Sequence, residues 1–85
     1  MKNAQIADVF DQLADLLEFQ GANPFRIRAY RNGARVIRDL ADSVATLAAE
    51  DPKRLQQIDG IGKGVAEKCE VLATTGGLPQ LDELL

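Results

Sequence analysis

Two glycines, Gly60 and Gly62, set between two short helical patterns, limit the fold of this 85-residue chain more than any other feature. Leu55 and Ile58 stand three apart, as on one face of a short helix, and Gly60-Ile61-Gly62 then interrupts it with two residues that tolerate positive φ. Val65, Ala66, Cys69 and Leu72 resume helical spacing at once, and the small Ala66 lets the second helix approach the first. Such a chain turns a sharp corner between two helices. The corner leaves backbone N–H groups unpaired at the start of the second helix, where the positive end of the helix dipole also lies. It therefore suits a phosphate. Contacts from backbone would position a nucleic-acid strand without reading its bases. The alternative is an ordinary αα-corner whose glycines serve the turn alone.

Length allows one small domain with a modest core. Hydrophobic residues make up 46% of the chain, but no apolar run approaches membrane-spanning length, so no membrane partner is expected. Asp8, Asp11 and Asp15 interrupt the N-terminal segment, which does not resemble a secretory leader. One cysteine and no histidine exclude a disulfide framework and a His/Cys metal site, and fit a cytoplasmic protein, nucleoid-associated if bacterial. Without histidine, any catalysis must rest on Lys, Glu, Asp or Tyr.

The net charge of −3 argues against a generic polyanion binder, yet the charges are not evenly spread. Acid is concentrated before residue 20 and at the C-terminus, whereas Arg26, Arg28, Arg31, Arg35 and Arg38 crowd the middle with no acid among them. This polarity points to one binding face.

Along the chain, Asn3 is expected to cap a first helix with Ile6, Val9, Phe10, Leu13, Leu16 and Leu17 at a 3.6 period, ending near Gln20 with Gly21 as a left-handed stop. Its outward acids, Asp8, Asp11, Asp15 and Glu18, read as a solvated side. Asn23-Pro24 opens a second helix, to about Leu40, that carries Phe25, Ala29, Tyr30, Ala34, Val36, Ile37 and Leu40 toward a core. On it Arg28, Arg31, Arg35 and Arg38 fall within an arc of about 80°, with Arg26 elsewhere. Nothing on that helix neutralises them. A phosphate-facing role for some of the four stands beside a plainly solvated basic face.

Asp42 or Ser43 caps a third, short helix through Val44, Leu47 and Ala48, and Asp51-Pro52 opens the helix with Lys53 and Leu55. Thr74 to Gly77 ends the next helix, and Leu78-Pro79 begins a last turn or short helix with Leu81, Leu84 and Leu85. No segment alternates like a strand. The expected fold is all-α, a compact bundle of four to five short helices containing a helix-hairpin-helix motif over residues 1–85. The apolar end of the chain looks like that of a domain cut from a longer protein, although a docked C-terminal helix would look similar.

Two stretches carry a resemblance: NPFRIRAYRNGARVI, from Asn23 to Ile37, and LQQIDGIGKGVAEKCEVLATTGGLPQL, from Leu55 to Leu81. With the first helix they resemble the N-terminal domain of family-X DNA polymerases of the polymerase beta-like kind. The AYR at Ala29 to Arg31, the GIG of the hairpin and the AEK at Ala66 to Lys68 are its most specific parts. The resemblance implies a domain that holds the 5′-phosphate side of gapped or nicked DNA in base-excision repair, covalently followed by polymerase domains and acting as a monomer. The hairpin and the resemblance together give Gly60, Ile61, Gly62, Gly64, Arg26, Tyr30 and Arg31 as candidate DNA contacts, Arg26 standing where the family has a phosphate-binding lysine and Tyr30 where it has a tyrosine, and Lys63 adds a cation at the phosphate corner where the family pattern has no lysine. The resemblance also implies a 5′-deoxyribose-phosphate lyase in which Lys68, beside Glu67, forms a Schiff base with the sugar aldehyde. A lysine attacks only as the neutral amine, and the iminium then acidifies the adjacent sugar proton for β-elimination of the phosphate. A structural Na⁺ or K⁺ on the carbonyls of Gln56, Ile58 and Ile61 is implied as well.

The chain departs from the family pattern where lysines thin out. Gly64, Gln56 and Gln80 stand where the family has lysines, and Phe25 where it has a histidine. Fewer cations weaken phosphate binding and remove part of the pressure that makes Lys68 neutral. Three readings follow: a DNA-binding domain of a repair polymerase, a lyase acting through Lys68, and a protein-interaction domain using the hairpin as scaffold. Cys69 reads as packing.

Overall fold

The computed structural model describes residues 2–75, and the expected last turn from Leu78 lies outside them. Among the described residues there are five helices and no strand: α1 (Asn3–Phe19), α2 (Pro24–Asp39), α3 (Val44–Glu50), α4 (Pro52–Gln56) and α5 (Lys63–Thr75). The all-α expectation holds.

Most helix ends lie where the local chemistry puts them. Gly21 takes φ of 72° after α1, and the Asn23 side chain accepts the Phe25 N–H at 2.9 Å to cap α2 ahead of Pro24. Ser43, rather than Asp42, caps α3 by accepting from Thr46 N–H at 3.3 Å. Asp51 does the same for α4 through Arg54 N–H at 3.3 Å, with Pro52 at the first helical position. The start of α1 differs from expectation. Lys2 holds the cap position and donates its N–H to Gln5 Oε1, which frees the Asn3 side chain for longer work. Asn3 Nδ2 donates to the carbonyls of Leu40 (3.3 Å) and Asp42 (2.7 Å), while its Oδ1 accepts the Val44 N–H at 2.9 Å. One amide thus ties the start of α1 to the α2–α3 connection.

α1 and α2 pack along their lengths as an antiparallel pair, and α5 packs chiefly on α3. The core joins Ile6, Phe10 and Leu13 of α1 to Tyr30, Ala34 and Ile37 of α2, and continues through Val44, Leu55 and Ile61 to Val65, Cys69 and Leu72. The Phe10 and Tyr30 rings stack with centroids 6.0 Å apart. On α2 the buried residues are Tyr30, Gly33, Ala34 and Ile37. Phe25 and Ala29, expected inside, are exposed, Phe25 by 78%. At about 100° per residue Phe25 sits about 140° from Tyr30, outside the buried arc, and Ala29 lies just past its edge.

The acidic face of α1 is not merely solvated. Arg31 reaches Asp15 (2.9 Å) and Glu18 (2.7 Å), and Arg38 reaches Asp8 (2.5 Å) and Asp11 (2.7 Å). These paired carboxylates hold both guanidinium pKa values above the ordinary arginine range, the hydrogen bonds contributing most. The expected arginine stripe therefore splits. Its inner edge, Arg31 and Arg38, leans on α1, while Arg28 and Arg35 on the outer edge have no ion-pair or hydrogen-bond partner among the described residues.

Candidate nucleic-acid interface

The corner after α4 is closed by its own backbone. Gln57 N–H donates to Arg54, Ile58 N–H to Leu55, and Ile61 N–H to Ile58, the last at 3.0 Å. Ile61 is buried and anchors the corner to the core. Gly60 adopts φ of 89°, a left-handed value that a side chain resists, whereas Gly62 has no such conformation. Only the first of the two glycines is needed for the turn.

Gly62 has a different part. Its carbonyl accepts the first helical bond of α5, from Ala66 N–H at 2.9 Å, which makes it the cap residue of a helix that no side chain among the described residues caps. α2, α3 and α4 are each closed by an Asn, Ser or Asp side chain. Helical geometry leaves the amides of Lys63, Gly64 and Val65 without an intrahelical acceptor. No Cβ covers the corner at Gly62 or Gly64, and a carbon added at either would meet nothing within 4 Å. A phosphate oxygen has an open approach to this positive helix end.

The start of α5 faces the first half of α2 across a groove of about 460 Å³. Seven residues singled out in the sequence line it together: Arg26 and Tyr30 from α2, Gly60, Gly62 and Gly64 from the corner, and Glu67 and Lys68 from α5. Lys68 Nζ lies 5.7 Å from the Tyr30 ring centroid and Arg26 Cζ lies 5.9 Å from it. Arg26 Nε also donates to the Tyr30 hydroxyl at 3.4 Å. One buried ring thus gathers two cations from two helices. Asn32 lines the groove too, as do Ala29 and Val65, which the sequence marks for packing and not for the site. Their helical phase marks them only once the α2–α5 crossing is known.

Three expected contacts fall elsewhere. Arg31 is held by Asp15 and Glu18 on the α1 side of α2, away from the groove, because the antiparallel register brings those carboxylates to it. The Ile61 amide is already bonded to Ile58 and its side chain is inside, so any backbone contact begins at Gly62. Lys63 is exposed at the corner but does not line the groove.

For the monovalent cation, the Ile58 carbonyl already accepts the Ile61 N–H and keeps one lone pair for an ion. Among the described residues no group of His, Cys, Asp and Glu is placed to hold a metal ion. Cys69 is fully buried, and burial, helped by Glu70, pushes its thiol up to about 12, which suits packing and not chemistry. No described helix is long and apolar enough to cross a membrane.

A model of the helix-hairpin-helix domain matches residues 1–78, nearly the entire chain. The chain belongs to the helix-hairpin-helix domain family. The corner at Gly60 to Gly62 is its hairpin, α4 and α5 are the two helices, and the general function of this helix-hairpin-helix domain is DNA binding. No curated protein matches the chain.

Proposed function

We propose that this helix-hairpin-helix domain is the DNA-gripping module of a family-X repair polymerase and holds the 5′-phosphate side of a gap or nick. The observation that carries the proposal is the groove itself. Residues from two separate stretches meet there, with an uncapped helix start at one end and two cations over Tyr30 at the other. Backbone amides of Lys63, Gly64 and Val65 take the phosphate, and Arg26 and Lys68 supply the charge that neutralises it. The domain acts as a monomer linked to polymerase domains, and a monovalent cation rests on the carbonyls of Gln56, Ile58 and Ile61. The test is a comparison of probes. Gapped DNA with a 5′-phosphate is bound more tightly than the same DNA without it and than intact duplex, with affinity falling as salt rises. Equal binding of all three overturns the assignment to a 5′-phosphate.

The position of Lys68 in the groove beside Glu67 favours a second reading, a 5′-deoxyribose-phosphate lyase. The amine adds to the sugar aldehyde and loses water to give an iminium; loss of the neighbouring proton then expels the phosphate. Borohydride reduces that iminium to a stable protein–DNA adduct. No adduct from wild-type protein and an incised abasic site removes this reading and leaves the first untouched.

A further inference from the structure

Two close approaches hold the corner and α5 against α2, and each sets a glycine on one side against a valine on the other. Gly60 of the corner faces Val36 of α2. Three residues earlier on α2, Gly33 faces Val65 of α5, and a carbon built on Gly33 would lie 3.1 Å from Cγ1 and 3.3 Å from Cγ2 of Val65. Both members of this second pair are buried. Residues three apart on a helix share a flank, so α2 meets the corner and α5 along one line.

Between the two fixed positions, Gly60 and Val65, lies the start of α5, whose first amides lack an intrahelical acceptor. On the opposite wall of the groove, Tyr30 stands about one turn before Gly33 and Arg26 about two turns before it. The α5 wall thus brings amides and Lys68, and the α2 wall brings Arg26 and the Tyr30 ring over which both cations sit. How far apart these groups stand depends on how near α5 comes to α2 at Gly33. Alanine there would make α2 a better helix, since glycine in a helix interior is unfavourable. It would also end the close approach, because its methyl group would press on both methyls of a stiff, β-branched side chain.

We infer, resting on the 5′-phosphate reading of the groove, that Gly33 is a positioning residue that makes the groove selective for a terminal phosphate. A phosphate at a strand end has three unesterified oxygens and can enter between the walls, giving one oxygen to the α5 amides and another to Arg26. A phosphodiester inside a strand has two, with a sugar on either side, and meets one wall alone. Close walls favour the terminal phosphate; parted walls treat both kinds alike. Gly33 touches no DNA and acts through Val65, whose side chain packs on it while its amide belongs to the grip.

The test uses the whole chain and compares affinity for gapped DNA with and without the 5′-phosphate, taken as a ratio. Wild-type protein prefers the phosphorylated probe. Gly33→Ala lowers the ratio about tenfold by weakening that probe alone, the loss of one charge-assisted hydrogen bond. Val65→Ile enlarges the same contact from the α5 side and lowers the ratio in the same way, so the test stands even where Gly33→Ala fails to fold. Gly33→Ala with Val65→Ala trades methyl groups across the contact and returns the ratio to within about threefold of wild type. Melting curves confirm that each variant titrated is folded. An unchanged ratio in the enlarged variants overturns the inference and leaves the 5′-phosphate reading standing. Equal losses on both probes, or a fallen ratio that Val65→Ala does not restore, also overturn it, because a merely structural role produces them. A wild-type ratio of one overturns the 5′-phosphate reading and the inference with it.

Discussion

A side-chain carbon built on Gly60 would lie 2.5 Å from Cγ2 of Val36, so the hairpin rests on α2 through a position that has room only for hydrogen. The same residue takes φ of 89°. Strain and collision act together there, and Val36 is β-branched and slow to yield. Gly60→Ala is expected to cost about 2 kcal/mol or more, which lowers the melting temperature by about 10 °C in a domain of this size. Gly62→Ala meets nothing within 4 Å and has no left-handed φ, so it leaves melting nearly unchanged while placing a methyl group where the phosphate approaches. Thermal denaturation and DNA titration of the two variants separate the glycine of the turn from the glycine of the contact. A loss of stability at Gly62 as large as that at Gly60 would refute the division.

Arg31 supplies a contrast within α2. Its guanidinium already meets Asp15 and Glu18, and both carboxylates are largely exposed. Arg31→Ala is expected to leave affinity for a blunt duplex with a 5′-phosphate unchanged and to lower stability slightly, with the loss shrinking in high salt as screening weakens the pairs it removes. Anisotropy titration with that duplex and melting at two salt concentrations check both halves.

Asn3 joins three backbone groups that are 37 to 41 residues away in sequence. Asn3→Ala leaves the Val44 amide at the start of α3 without its acceptor and two carbonyls without their donor. The expected cost is about 1–2 kcal/mol. Asn3→Asp keeps the acceptor for Val44 and loses the donors, so it should fall between wild type and Asn3→Ala in chemical denaturation.

Much of this architecture was legible because local rules suffice for it. The cap-plus-proline pairs Asn23-Pro24 and Asp51-Pro52 mark the starts of α2 and α4, and the spacing of Val65, Ala66, Cys69 and Leu72 marks the buried face of α5. The gathering of Arg26, Tyr30 and Lys68 was legible only through the family resemblance, since they come from helices separated by two others. What escaped depends on register between helices. The pairing of Arg31 and Arg38 with α1, the reach of Asn3, and the place of Asn32 on the groove all require knowing which turn of one helix lies against which turn of another. The outward turn of Phe25 is different, because the 3.6 period itself places it off the face of Tyr30 despite its apolar character.

Cys69 makes stability depend on alkaline pH. Burial raises its thiol from the ordinary value of about 9 to about 12, so the folded state holds the proton more tightly than the unfolded state does. The unfolded chain therefore ionises first. Stability is intact below pH 9 and falls as pH rises from 9 toward 12, by about 1.4 kcal/mol per unit. Tyrosine and lysine also titrate in that range, so the informative quantity is the difference between wild type and Cys69→Ala. The variant starts less stable at pH 8 because it loses packing, and the gap should narrow at pH 10.5, as chemical denaturation at the two values would show.

Lys68 decides between grip and chemistry, and a conservative change separates them. Its ammonium lies over the Tyr30 ring in the groove, where it can neutralise a phosphate. A Schiff base needs a primary amine, which arginine lacks, whereas a phosphate contact needs only a donor of positive charge. Lys68→Ala is expected to weaken binding to 5′-phosphorylated gapped DNA about tenfold and to lower the salt slope by about 0.9, as one phosphate contact is lost. Lys68→Arg restores most of the affinity and the slope. If wild type forms a borohydride adduct, Lys68→Arg must lose it while still binding, and an adduct that persists in Lys68→Arg would place the reacting amine elsewhere, Lys63 at the exposed corner being the nearest in sequence. Equal affinity of wild type and Lys68→Ala would show that Lys68 does not touch the DNA, and would leave the α5 amides and Arg26 to hold the phosphate.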